Sequence, residues 1–546
     1  MKKRFKVFCL AFVCVLGLAA EGQAFRTGYR PSPVDLSHLA KNPPKLVMTA
    51  EALPASYDLR DHIQMPPVKN QYPQYPQIKF GTCWAFAALV SMETNALKQG
   101  LLTSPDLSEF HLAWFAYADE RPGKSFTIQD ISQDFCGVPY DPILDQGGND
   151  IKALALLTRP AGPTDEIYAP YPTSRNYDRL PGVPEDTSHY PRKLSIKEAK
   201  FVAEPHSSPE GRELLKRFIL ENGAVSIGYH VDASYQINSS VDQSAYYSNM
   251  DDTNHGVTVV GWNDNIPKEK FKPDTPSIDG AWLVRNSWGG DWGDMGGYFY
   301  MSYEQYIDLA CSYVVERADS WVNIYGHDDL GWCTNAWALG FSGESHSLPT
   351  AQGINVLGTS GEGHSQPTAW GANVFRAKND EMLKQVAFYT ADNNTDYELC
   401  VYALGDSAPQ SPTQGTLLTR QSGTLPYAGY HKIDIETDAP LTGGHYFSVV
   451  VRINDPNGAF FPSEMAVPDH SEGAVINEGE SYFSKDGVVW EDGCSDGTPG
   501  KARNVCIKAF TVDIPTSSKG SSGCDAGLGF GALALAVLLR KLRSRP

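Results

Sequence analysis

Gly81-Thr82-Cys83-Trp84-Ala85-Phe86-Ala87-Ala88-Leu89 is the stretch on which the reading of this chain turns. Ala85 to Val90 are apolar or small, and the first polar side chains after Cys83 are Ser91 and Glu93. A helix apolar on nearly every face belongs in a core. Yet its first turn holds a cysteine, where free backbone N–H groups and the positive end of the helix dipole concentrate. That setting lowers a thiol's pKa and favours the nucleophilic thiolate. A buried structural cysteine is the competing reading, since free cysteine is commonly buried. The rest of the chain has to decide between them.

Upstream, Arg30-Pro31-Ser32-Pro33 and Asn42-Pro43-Pro44 read as an extended leader over residues 25–52. Order is expected from Leu53 onward, through Pro66-Pro67-Val68-Lys69-Asn70-Gln71, into the Cys83 helix, which ends near Gly100. Downstream, Ser108 caps a short helix in Leu107-Ser108-Glu109-Phe110-His111-Leu112. Gly147-Gly148-Asn149 marks a turn before a helix over Ile151 to Leu157. Arg212 to Glu221 reads as an amphipathic helix stopped by Asn222-Gly223. Strands follow at Ala224 to Gly228, His255 to Trp262, Ala281 to Arg285, Gly297 to Met301 and Ser312 to Val315.

Two of these strands carry chemistry. Asn254-His255-Gly256-Val257-Thr258-Val259-Val260-Gly261-Trp262 opens an apolar run with a histidine. Asn286-Ser287-Trp288-Gly289-Gly290-Asp291-Trp292-Gly293 ends another with an asparagine between tryptophans. Alone, His255 is a structural histidine and Asn286 a turn residue. Together with Cys83 they form a nucleophile, a base and an orienting group.

With these motifs in family order, residues 53–316 resemble a papain-like cysteine peptidase. The stretches that carry the likeness are PPVKNQ, GTCWAFAAL, LSEFHL, the Gly147-Gly148 pair, NHGVTVVGW and NSWGGDWGDMGGYFYM. The resemblance implies an α+β two-lobed domain, helical on one side and β-rich on the other, with a cleft between. It implies Cys83 as nucleophile, His255 as general base and then acid, and Asn286 as the group that orients the imidazole. Trp288 would shield that hydrogen bond. Gln71 and the Cys83 N–H would form the oxyanion hole. Gly147 and Gly148 match the edge that pairs with substrate backbone, and Gly81 and Asn254 would line the scissile bond. Gln71 precedes Cys83 by twelve positions, more than the family's usual spacing; Gln77 sits at that spacing and is the fallback. The Cys83–His255 separation of 172 also exceeds the roughly 130–150 residues of the family. The Pro- and charge-rich stretch Thr173 to Ser208 is the expected extra loop. The leader at 25–52 is shorter than the family's helical propeptide.

From about residue 320 to 513 the pattern becomes all-β, with strands at Gln385 to Thr390, Tyr397 to Leu404, His445 to Ile453 and Asn504 to Val512. The fold expected is therefore a papain-like domain at 53–317 followed by a β-sandwich at 320–513. YGHDDLGW, WGANVF, VAFYT and HYFSVVVRI in this part resemble a lectin-like domain found after papain-like peptidases in bacterial surface proteins. Trp332, Trp370 and Trp490 are core residues on this reading, with sugar stacking as the alternative. SGESHSLPTAQGINV at Ser342 recurs as SGEGHSQPTAWGANV at Ser360, a duplicated loop.

The ends carry addresses. Lys2, Lys3, Arg4 and Lys6 before an apolar run to Ala20 and Gly22-Gln23-Ala24 read as a signal peptide over 1–24. Residues 514–524 form a linker. The tail at 525–546, 14 apolar or Gly residues before Arg540, Lys541, Arg543 and Arg545, resembles a Synergistetes-type sorting or membrane-anchor tail. Export and a place at the cell surface follow, with envelope association through the tail. The net charge of −19 argues against a nucleic-acid partner. No close cysteine spacing indicates a metal, and no cofactor is expected. The ten cysteines leave disulfide pairing open. Protein or peptide substrates are the expected partners, with surface glycans possible ligands of the sandwich. The rival function is an adhesin or glycan-binding protein on a non-catalytic papain-like scaffold; such a scaffold would be free to lose Cys83, His255 or Asn286.

Overall fold

A strand that the sequence hides among charges joins the two halves of the molecule. The computed structural model describes residues 28–45, 52–72, 80–116, 144–171, 190–232, 244–318, 322–336, 367–455, 459, 461–467, 470–471, 473–494 and 502–515, with paired segments at 132–133, 139–140, 346–349 and 355–358. Within the expected loop at 173–208, Leu194–Ala203 is a ten-residue strand. Leu194, Ile196, Ala199 and Phe201 point into the core while Ser195, Lys197, Lys200 and Glu198 face outward. That alternation is the period of a half-buried strand, so the loop reading is corrected for these residues. On one side the strand pairs antiparallel with Leu309–Arg317, on the other with Gly429–Leu441 of the sandwich. Gly429 sits at that seam with φ +134°, and a Cβ there would come 1.8 Å from the Ala199 carbonyl oxygen.

One sheet therefore runs through both halves. Its order is Val322–Tyr325, Ile507–Asp513, Glu381–Thr390, Gly429–Leu441, Leu194–Ala203, Leu309–Arg317, Val225–Tyr229, His255–Asn263, Ala281–Arg285, Tyr298–Ser302, Ala245–Tyr247 and Lys272–Pro273. A second sheet of six strands, from Thr416–Leu425 to Glu491–Asp492, closes the sandwich. The architecture is thus a papain-like domain followed by an all-β domain. The described residues up to Asp513 form one compact unit.

Among the described residues there are four α-helices; the first three pack together on the helical side, and the fourth packs on the strands of the peptidase domain. α1, Cys83–Lys98, is buried from Cys83 through Ala96, as an all-apolar face demands. α2, Glu109–Phe115, is capped by Ser108, whose Oγ accepts the His111 N–H at 2.9 Å. α3, Asp150–Leu157, is capped by Asn149 through the Lys152 N–H. α4, Pro209–Asn222, starts at the Ser208 cap and stops at Gly223, whose φ is +108°.

Trp332 is fully buried, stacked between Phe201 and Tyr389, so it offers no surface to a sugar; Trp370 is half-buried. Among the described residues no disulfide forms: Cys83, Cys311, Cys333, Cys400, Cys494 and Cys506 are free thiols. Among them, too, no helix is long and apolar enough to cross a membrane. The signal segment 1–24, Gln77, most of the duplicated loop and the tail at 525–546 lie outside the described residues.

Candidate active site

The first turn of α1 meets the start of the His255–Asn263 strand. The Gly256 N–H donates to Cys83 Sγ at 3.2 Å, and a Cβ on Gly256 would lie 3.1 Å from the Trp84 backbone. Only glycine lets strand and helix approach this closely. His255 is thereby fixed one residue from the thiol. Its Nε2 lies 2.8 Å from Asn286 Oδ1. That oxygen also accepts the Ser287 backbone N–H at 2.8 Å, which identifies it as the amide oxygen. Nε2 must therefore carry the ring proton, leaving the Nδ1 lone pair as the base. Nδ1 has no hydrogen-bond partner among the described residues.

Trp288 lies flat on the imidazole, ring centroids 4.7 Å apart at 18°, and Trp292 meets Trp288 edge-on. The stack keeps water off the His255–Asn286 bond. Burial pushes the His255 pKa down to about 3, with the Asn286 hydrogen bond working the other way. The imidazole is neutral in this state and ready to accept a proton.

Gln71 is fully buried beside the nucleophile despite the long spacing. Its Nε2 donates to Phe80 O at 3.0 Å, in the approach to Cys83, and its Oε1 accepts from Ser287 Oγ at 2.6 Å. The Gln71 N–H donates to Ser287 O at 2.8 Å, which sews the VKNQ segment to the residue after Asn286. The same segment is pinned from the other side: Lys69 Nζ donates to Glu109 Oε2 at 2.9 Å and meets Asp106 at 2.8 Å. Arg285, in turn, donates to the carbonyls of Pro66 and Pro67. The motifs PPVKNQ, LSEFHL and NSWG are thus one clamp around Gln71.

The remaining residues read from sequence as substrate-binding form a channel, and the chain's own residues 28–30 lie in it. The Arg30 N–H donates to Gly148 O at 2.9 Å and the Gly148 N–H to Gly28 O at 2.8 Å, so Tyr29 bridges Gly148 in parallel. The Tyr29 N–H donates to Asn254 O at 3.3 Å. Asn254 itself is braced through its side chain, which both donates to and accepts from Val231 backbone. Gly28, at φ +116°, rests on Gly81; a Cβ there would lie 2.1 Å from the Gly81 carbonyl carbon. A Cβ on Gly147 would come 2.6 Å from Gly28 O. Gly81, Gly147, Gly148 and Asn254 therefore form the walls; Trp288 sits apart, on His255.

Sequence reading missed two residues here. Tyr29 is buried over Gly228, where a Cβ would come 2.2 Å from the ring, and its hydroxyl donates to Asp308 at 3.2 Å. Burial pushes the Asp308 pKa up to about 7, the Leu309 N–H and the Tyr29 hydroxyl working against that. The only sequence signal for either was an aromatic residue in a Pro-rich leader and an acid before an apolar strand. From Tyr29 the segment continues over the helical lobe, burying Val34, Leu36 and Leu39, to the sandwich. There His38 Nε2 lies 2.9 Å from Ala391 O, Asn394 Oδ1 accepts the Lys45 N–H at 2.8 Å, and Asn393 Nδ2 donates to Asn42 O at 2.7 Å.

Fold and site together define a papain-like cysteine peptidase domain with a lectin-like domain behind it. Residues 144–317 match the papain family cysteine protease family, and residues 354–511 the lectin like domain. A cathepsin L-like peptidase of Aedes aegypti is 27% identical over 249 residues, 45% of this chain and 58% of its own length. Procathepsin L of Rattus norvegicus is 28% identical over 253 residues, 45% of this chain and 59% of its own. The chain thus spans under two thirds of the length of these relatives. Among solved structures, the clostridial cysteine protease Cwp84 after propeptide cleavage superposes with a TM-score of 0.63 at 25% identity, over 84% of this chain and 99% of that one. The cysteine protease and lectin-like domains of Cwp84, a surface layer associated protein of Clostridium difficile, give 0.63 at 24% identity, over 85% and 90%.

Proposed function

We propose that this chain is an exported cysteine peptidase that hydrolyses protein and peptide substrates through an acyl-enzyme, and that residues 28–45 hold it latent. The observation that carries the first part is the Cys83–Gly256 contact beside a histidine whose tautomer Asn286 sets. Cys83 Sγ gives its proton to His255 Nδ1 and attacks the substrate carbonyl carbon. Gln71 Nε2 and the Cys83 N–H receive the oxyanion. The C–N bond breaks as the imidazolium protonates the leaving amine, and water then hydrolyses the thioester, restoring the thiol. Cys83→Ala should abolish peptide hydrolysis with an unchanged melting temperature; turnover retained in that variant would sink the mechanism. Gln71→Ala should lower kcat by roughly a hundredfold or more.

Latency is supported by the strap in the channel: its backbone takes the hydrogen-bonding groups a substrate strand would use, and Cys83 is fully covered. Surface location is supported by the leader pattern at 1–24, by the tail at 525–546 and by the likeness to surface-associated Cwp84. Tail processing near Gly523 or Cys524 predicts a mature mass short of Pro546; an intact C-terminus by mass spectrometry would refute it. Glycan binding by the sandwich is supported only by its lectin-like match. The adhesin reading has no observation in its favour at the Cys83 site.

A further inference from the structure

Where the sheet crosses from the peptidase domain to the sandwich, a cavity of about 350 Å³ opens between the two. Along the sheet its near wall, on Leu309–Arg317, is two strands from the His255–Asn263 strand, and its far wall, on Val322–Tyr325, is seven. Four cations line it: Arg192 and Arg317 from the peptidase side, Lys384 and Lys432 from the sandwich side. Two carboxylates share the wall, Glu316 and Asp434, and both are already matched. Glu316 accepts from Lys432 Nζ at 2.7 Å, and Asp434 accepts from Lys197 Nζ at 2.8 Å. Gln385 reaches both carboxylates as well.

This accounting leaves positive charge over. Arg192 is half-buried and Lys384 exposed at the rim, and neither has an ion-pair partner among the described residues. Arg317, exposed, donates to the Leu101 carbonyl and has no ion-pair partner among the described residues. Lys432 is buried over the Phe510 ring, 4.6 Å from its centroid. Burial also lowers the pKa values of Arg192 and Lys432, and in Lys432 the nearby Arg192 adds to the effect. The cations around the cavity thus outnumber its two carboxylates, and an added anion would match the surplus. The volume falls in the range of small-molecule sites, and a guanidinium fork favours a planar oxyanion.

From this surplus of cations we infer that the inter-domain cavity binds a small organic carboxylate of about monosaccharide size, its acid group taken up by Arg192 and Lys384. Because both domains supply the wall, the ligand fastens one to the other. The inference is independent of the peptidase reading.

The test is calorimetry and thermal melting of the full chain with D-glucuronate, with glucose as the uncharged control and inorganic phosphate as the bare anion. Glucuronate should bind and raise the melting temperature, glucose should do neither, and phosphate should bind at least tenfold more weakly. Affinity should fall as NaCl is raised. Tri-galacturonate binding as tightly as glucuronate would place the site at the end of an acidic glycan; binding of the monomer alone would identify a free acid. Arg192→Gln and Lys384→Gln should each weaken glucuronate at least tenfold while leaving the ligand-free melting temperature unchanged or raised. The inference is overturned if glucuronate and glucose behave alike. It is equally overturned if Arg192→Gln lowers the ligand-free melting temperature by several degrees, because the guanidinium would then already have its anion.

Discussion

The two ends of the strap at 28–45 are held by different means. Residues 28–30 sit in the channel through backbone hydrogen bonds to Gly148 and Asn254 and one aromatic side chain, groups any extended peptide can offer. Residues 38–45 are held by one turn of the sandwich, through the Ala391 carbonyl and the side chains of Asn393 and Asn394. The first end competes with substrate on equal chemical terms. The second end keeps it present at high effective concentration, so a weak plug can hold. On the latency proposed above, the sandwich takes part by holding the far end of the strap.

Four variants break or sharpen that contrast, read as hydrolysis of a small fluorogenic peptide by the uncut chain. Tyr29→Ala should have the largest effect. Emptying a buried aromatic site costs about 3 kcal/mol, so activity should rise by about two orders of magnitude; no rise would remove Tyr29 as the anchor. Gly28→Val comes next, since its Cβ would meet the Gly81 backbone and φ is +116°. Overpacking of this kind costs roughly 1–3 kcal/mol, for a gain of about tenfold or more. At the far end, Asn394→Gly removes the bonds to Lys45 and Pro43 while tolerating the native φ of 60°. Each of these exposed bonds contributes about 0.5 kcal/mol, so activity should rise about fivefold, through a lower apparent KM for added peptide. A rise equal to that of Tyr29→Ala would mean the sandwich, not the cleft, is the main anchor.

The smallest effect concerns pH. Asp308 is held up to about 7 in the covered state and returns to the ordinary carboxylate range once water enters. A raised carboxylate pKa stabilises the covered state at low pH and loses that contribution as pH climbs through about 7. Strap release should therefore be favoured at pH 8 over pH 5 by this group, and Asp308→Asn should lower the ratio of the two rates. An unchanged ratio would show that Asp308 does not respond to the strap.

The site's chemistry was legible because each residue sits in a local pattern with its own physical reason. A glycine before an apolar helix, a histidine opening a buried strand and paired glycines before a capped helix are all readable without the fold. Ser108 as a cap followed from side-chain chemistry alone and is seen as such, while Asn149, read only as part of a turn, proves to cap α3. The strap was not legible as a cleft occupant. Tyr29, Val34, Leu36 and Leu39 follow no helix or strand period, although all four join one buried cluster. Leu194–Ala203 was read as loop because its outward face is charged, its neighbours are Pro-rich, and a bulge at Lys197 interrupts the alternation of its buried residues. Asp308 gave no more signal than an acid before an apolar strand; where it is buried, the Tyr29 hydroxyl and the Leu309 N–H meet it. What the sequence conceals is long-range: one strand that joins the domains and one segment that crosses them.

The most direct measurement is peptide hydrolysis before and after limited proteolysis that removes the chain through residue 45. The account predicts little turnover in the uncut chain, a rise of at least a hundredfold on cutting, and none in cut Cys83→Ala. Equal turnover before and after cutting, or turnover in the cut Cys83→Ala chain, would contradict it.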